Sequence, residues 1–230
     1  MKNLSGFLLL GVVFLTGCPK PPPQRYSQPV QVKETYRDWG VNPYFALVPG
    51  ARAVLEGKDV VLYITVLPEI VEIAGVKCRV VEEREIEGGK LVEVSRNYLA
   101  YDTRDGSVAY FGEDVDIYDA DSVVSHEGAW RAGVNGATGG VLFPSPDSVR
   151  LGYEYANENA PGVAMDRAKI IRVDFEQETG LGTLSHCYEI EETNPLEPGA
   201  RGRKVIAPLV GIVVDEDLLI TGFSLERLPE

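Results

Sequence analysis

The chain is 230 residues long, 44% hydrophobic and 25% charged, with a formal net charge of −13. A polyanion of this kind repels phosphate groups, which argues against nucleic acid as a partner and disfavours adsorption to anionic lipid. Two histidines and three cysteines, with no CxxC, HExxH or GxSxG pattern, leave almost no ligands for zinc and no nucleophile signature.

In chain order, Lys2 precedes an apolar run, Leu4 to Leu15, broken by Ser5, Gly6 and Gly11. A permanent transmembrane helix needs roughly 20 apolar residues, so this run fits the apolar part of an export signal instead. Leu15-Thr16-Gly17-Cys18 resembles the lipobox of bacterial lipoproteins. That resemblance implies a signal peptide over residues 1–17, cleavage before Cys18, and lipid on the Cys18 thiol and on the new amino terminus. The implied location is a membrane-anchored, exported lipoprotein. Pro19 stands where an inner-membrane retention signal has aspartate, so the outer membrane, facing the periplasm, is implied for a cell with two membranes. Loss of residues 1–17 removes Lys2 and no acid, taking the net charge from −13 to −14. Residues 18–43 hold Pro19, Pro21, Pro22 and Pro23 and no sustained apolar run, and read as a proline-rich tether.

From Tyr44 to the end the sequence reads as a single β domain of 44–230. Val60 to Leu67, VVLYITVL, is rich in β-branched and aromatic residues. The next two runs flank Gly88-Gly89, a two-residue hairpin signal. If Glu87 opposes Lys90, then Ile86 opposes Leu91, Arg84 opposes Glu93 and Cys78 opposes Leu99. Thr103 to Ser107 and Asp119 to Asp121 predict further turns. Ala168 to Phe175, Leu184 to Glu192, Lys204 to Val214 and Leu218 to Leu228 predict later strands. No long segment carries a 3.6-residue period, and a short helix fits only near Ala160 to Ala168. The expected fold is all-β, an antiparallel curled sheet or a sandwich or partial barrel, with at most one short helix.

Tyr44 to Gly57, Tyr110 to Gly140 and Leu196 to Val213 resemble a broad group of secreted bacterial β-proteins, Tyr110 to Gly140 most closely. Ala53 and Leu55 depart from it where the group has tryptophan and tyrosine. The resemblance implies a shared fold and transfers no catalytic residue.

Candidate chemistry concentrates between Gly112 and Gly140. Asp114, Asp116, Asp119 and Asp121 are hard oxygen ligands that could hold calcium, although their spacing is not that of an EF-hand and aspartate also serves turns. His126, Glu127, Trp130 and Arg131 precede Gly133, Gly136, Gly139 and Gly140, so charges and an indole adjoin a loop that glycine frees. Asp114, Asp116, His126, Glu127, Trp130 and Arg131 form the candidate ligand site; the alternative is a connection pinned by Trp130. With Cys18 lipidated, Cys78 and Cys187 form an even pair that a disulfide could join, or two separately buried thiols. The expected function is a lipid-anchored, non-enzymatic module of the cell envelope that binds a small ligand or an envelope protein. A hydrolase built on Glu113, Asp114 and Glu127, or a carrier of apolar molecules within the curl, are the alternatives.

Overall fold

The computed structural model describes residues 33–225. The expected signal peptide over residues 1–17, Cys18 of the expected lipobox and the prolines after it lie outside the described residues. The Gly88-Gly89 turn closes β6 (Val76–Glu87) onto β7 (Lys90–Asp102), with both glycines at positive φ, 56° and 79°. These are the torsions a two-residue hairpin demands and that residues with a Cβ resist. Glu87 opposes Lys90 and Ile86 opposes Leu91, as expected. A bulge then leaves Val92 unpaired, so that Glu85, not Arg84, opposes Glu93, and Arg79, not Cys78, opposes Leu99. Hairpin pairing alone does not signal an extra residue, and the one-residue slip reassigns every partner beyond it.

Two antiparallel meanders make the molecule. The first runs through β4 (Ala51–Glu56), β5 (Val60–Ile73), β6, β7 and β8 (Val108–Asp119). The second runs through β12 (Glu154–Ala156), β13 (Arg167–Thr179), β14 (Gly182–Thr193), β15 (Arg201–Ala207), β16 (Gly211–Asp215) and β17 (Leu218–Leu225). Pairing of β17 with β4, Ile220 opposite Leu55, joins them into one sheet. Short strands β9 (Ser122–Ser125), β10 (Trp130–Arg131) and β11 (Gly140–Phe143) all lie against β8. The all-β expectation therefore holds, as a curled antiparallel sheet with a second sheet of two short strands.

Alternation explains the curl. In β4, Ala51, Ala53 and Leu55 are buried while Arg52 and Glu56 are exposed. The buried faces of both meanders meet: Leu55, Leu99 and Phe111 from one share a core with Tyr188, Ile206 and Ile220 from the other. Each such side chain contributes roughly 1.5–3 kcal/mol by leaving water. The two ends of the sheet approach where Thr138 N donates to Asn159 O (3.0 Å). Gly140 permits this approach, because a Cβ there would lie 1.9 Å from the Asn157 carbonyl oxygen. No ladder joins the ends, so the sheet is curled and not closed into a barrel.

Three expectations are corrected. Residues 36–42, placed in the tether, belong to the fold. β1 (Tyr36–Arg37) pairs with β7, and β2 (Gly40–Asn42) pairs with β3 (Phe45–Leu47). Polar anchoring replaces the missing apolar run: Arg79 is ion-paired with Asp38 and donates to the Pro68 carbonyl (2.6 Å), and buried Asn42 donates to the Gly106 and Pro144 carbonyls (2.7 and 3.0 Å). No helix forms near Ala160 to Ala168; Gly162 turns the chain there, Ala160 bridges Ala164, and β13 starts at Arg167. Cys78 in β6 and Cys187 in β14 are free, buried thiols with no bridge between them in the structure. Burial pushes the Cys78 thiol up to about 12, as suits a small apolar residue.

Candidate functional site

Strand β8 divides the predicted site between its two faces. Asp114 and Asp116 point outward. Arg131 Nη2 meets both Asp114 oxygens (2.8 and 2.7 Å), and Tyr98 donates its hydroxyl to the same carboxylate (2.7 Å). Partial burial would raise the Asp114 carboxyl, but these bonds and the Arg131 charge hold it below its usual range. Asp116 pairs with Arg96 Nη1 (3.1 Å), and Arg96 Nε reaches Glu82 (3.5 Å). His126 Nδ1 lies 3.0 Å from Asp116 Oδ1 and 2.8 Å from the Val115 carbonyl, two acceptors that place a proton on that nitrogen. So Asp114, Asp116, His126 and Arg131 do gather, together with Arg96 and Tyr98, as an exposed ladder in which charges of both signs are paired.

The remaining predicted residues go elsewhere. Glu127 is exposed in the turn after β9. Asp119 and Asp121 sit at the hairpin tip, away from Asp114 and Asp116, and no group of three or more His, Cys, Asp or Glu among the described residues is arranged to hold a metal ion. Trp130 is 6% exposed and faces inward. The stretch after it is a tight turn, with Gly133 N donating to Ala137 O and Ala137 N to Val134 O (both 2.9 Å). Glu113, Asp114 and Glu127 are not brought together. The second histidine, His186, lies on the outer face of the other meander against Asp174 (2.7 Å).

The inward face carries what the sequence reading missed. On β6 the same face runs Val81, Glu83, Glu85; the register sets Glu83 beside Ile64 and Ser95, Glu85 beside Glu93, and Asn97 beside Glu113. From the opposite wall come Glu192, Lys204 and Asp215. Lys204 Nζ lies 3.3 Å from Glu192 Oε2 and 3.6 Å from Asp215 Oδ2. Asn157 Nδ2 donates to Glu192 Oε1 (3.2 Å). At one end Glu158, 8% exposed, accepts from the Trp130 indole (3.3 Å) and is hydrogen-bonded to both Glu113 and Asp166. Carboxylates accept only, so each of these carboxyl–carboxyl contacts requires a proton on one partner.

The electrostatics follow from too many acids around one ammonium. Burial pushes Glu83 up to about 7; Lys204 opposes this, while Asp215, Glu93 and Glu192 add to it. Burial and then Glu93, Glu87 and Asp215 raise Glu85 to about 7. Burial raises Glu113 and, further, Glu158, whose proton bonds to its neighbours. Burial alone would lower Lys204, but Asp215, Glu192 and Glu83 outweigh it and hold the ammonium charged. Perturbed carboxyls in a concave, partly solvated wall are what binding and catalytic sites display.

A small cavity opens beside this wall. It holds about 20 Å³ and is lined by apolar side chains, Phe45, Ile64, Val81, Phe143 and Ile212 among them, with Glu83 as its charged member. A signal for the interior cluster was present in VVEEREIE, where Glu83 and Glu85 share a strand face with Val81. No protein-family model, no curated protein and no solved structure matches the chain.

Proposed function

We propose that the chain is an exported, lipid-anchored, non-enzymatic module of the cell envelope that binds a small ligand in the carboxyl-lined interior of its curled sheet. The observation that supports this reading is the surplus of inward carboxyls, Glu83, Glu192 and Asp215, around the single ammonium of Lys204. Lys204, Glu192 and Asp215 keep 26%, 19% and 21% of their side-chain surface exposed, so solutes reach them. The outer ladder is already paired within itself and offers less. In this proposal Cys18 carries the anchor.

The cavity beside Glu83, about 20 Å³, holds about one water-sized group, which favours a small ligand over the apolar carrier. A carboxylate-based hydrolase remains the second reading, favoured by the adjacent carboxyls of Glu113 and Glu158, both raised by burial. The test is recovery of ligand from native protein. Full-length protein extracted from membranes in mild detergent is compared by mass spectrometry with Ala53→Met, which fills the cavity. The expected result is a compound enriched with the wild type and depleted with the variant. Equal recovery from both, or no enriched compound, overturns the reading. For the anchor, Cys18→Ala is expected to leave the membrane fraction; persistence there would refute lipid attachment.

A further inference from the structure

The two ends of the curled sheet meet without a ladder, and side chains do much of the joining. One end is β8 with β10 and β11 against it. The other is β12, whose chain continues through the Asn157–Asp166 connection into β13. Thr138 and Asn159 bond across the gap through the main chain and again through their side chains. Beside them Trp130 and Glu113, opposite one another in the β10–β8 pairing, both reach Glu158 on the far side. The indole donates to Glu158 Oε1 (3.3 Å) and packs edge-on against Tyr110, ring centroids 5.3 Å apart. Arg167 Nη1, at the start of β13, donates to the Glu158 and Asp166 carbonyls and so holds the main chain of the connection.

The Glu113–Glu158 contact differs from its neighbours in needing a proton. Two carboxylates cannot bond to each other, so one of them must carry a hydrogen. Without it, two like charges face each other where water barely reaches, since Glu158 is 8% exposed. Glu113 is faced by Tyr110 of its own strand, Glu83 of β6 and Glu93 of β7. Glu158 is faced by Asp166 of the connection and Trp130 of β10. The cations Lys204 of β15 and Arg167 of β13 act on Asp166. Burial pushes Glu113 up to about 7 and, with the Glu113 and Asp166 charges, holds Glu158 well above its ordinary value. A contact that needs a raised carboxyl is complete at low pH and is lost as pH rises through the raised value.

We propose that the proton between Glu113 and Glu158 latches the seam: while present it ties the Asn157–Asp166 connection to β8 and β10, and its loss in alkaline solution lets that connection lift off Trp130 while the rest of the sheet stays folded. The inference concerns how the curl opens and does not depend on what the interior binds. The experiment follows hydrogen exchange in full-length protein in detergent at about pH 5.5 and about pH 8.5, each rate divided by that of an unstructured chain at the same pH. The Thr138 amide and the Trp130 indole report the seam. The Gly50 amide, bonded to Val66 O (2.8 Å) where β4 meets β5, reports the rest of the sheet. Protection at the two seam sites is expected to fall at least about tenfold at the higher pH, with Gly50 changing less than about twofold. Glu158→Gln carries an amide that donates to Glu113 at any pH, so the fall should disappear. Glu113→Gln donates from the other side and serves if the first variant does not fold. Asp116→Asn, on the outer face of β8, should keep the fall. Equal seam protection at both pH values, an equal fall at Gly50, or a fall undiminished in the glutamine variants overturns the proposal.

Discussion

Adjacent residues on the same strands build two acidic regions with opposite logic. Asp114 and Asp116 face out, meet Arg131 and Arg96, and form a ladder that is balanced and half in water. Glu113 faces in, as do Glu83 on β6 and Glu192 on β14, where burial raises the carboxyls and one lysine serves several of them. The comparison shows that acid density along a sequence says little about acid chemistry in a sheet. Pleating sends neighbours to different dielectric surroundings, and burial decides whether a charge is cheap or costly.

The sharpest way to break the comparison is to remove one cation from each region. Lys204→Met is expected to cost about 2–4 kcal/mol at pH 8, because it strands inward carboxylates without a partner. Thermal unfolding should then fall by ~10 °C. Arg131→Met is expected to cost less than about 1 kcal/mol, since exposed pairs contribute little. Equal losses would mean that the two regions do not differ as described.

Acidity separates the regions next. Glu83 and Glu85 sit near 7 when folded and near the ordinary carboxylate range when unfolded. Between those values the folded state holds more protons, so stability falls as pH rises from about 4.5 to about 7 and levels off above. The groups facing Glu83 are Lys204, Asp215, Glu93 and Glu192, and those facing Glu85 are Glu93, Glu87 and Asp215. Asp114 has the opposite sign: its share is present at neutral pH and is lost as pH falls below the usual carboxylate range. Melting temperature should therefore rise by ~5 °C from pH 8 to pH 5, and Glu83→Gln should flatten that slope. A profile that climbs with pH over this interval would contradict the interior assignment.

Salt gives a smaller effect. Raising ionic strength to about 1 M shrinks the screening length to roughly 3 Å and should abolish the difference between wild type and Arg131→Met, while most of the Lys204→Met penalty persists. The smallest expected effect is none: with Cys78 and Cys187 as separate thiols, reductant should move the melting temperature by less than about 1 °C. A larger drop would reveal a bridge between them.

Much of the fold was legible because its signals are local. Gly88-Gly89, the Thr103 to Ser107 turn and alternating Val-rich runs announce hairpins over a few residues, and hairpins stack into a meander. The bulge at Val92 was not legible, since nothing in that run marks which residue drops out of the ladder. Residues 36–42 were misplaced for a related reason: buried Asn42 and the Asp38–Arg79 ion pair hold them, and polar anchors leave no apolar run to notice. The outer ladder was partly visible because its members lie within one stretch, Asp114 to Arg131. The interior cluster draws on β6, β8, the Asn157–Asp166 connection, β14, β15 and β16, and only the pairing of distant strands assembles it.

That same distance has a kinetic side. Thr221 and Val54, bonded across the β17–β4 seam, are 167 residues apart in sequence. Until the last strand emerges, β4 presents a bare edge of N–H and C=O groups, a template for pairing with other chains. Closing so long a loop must also precede any reward from the contacts it brings, which slows folding. A chain made from its N-terminal end therefore remains an incomplete curl until Leu218–Leu225 are present. Chains truncated before Leu218 should aggregate through the β4 edge, which stays open until the seam zips shut.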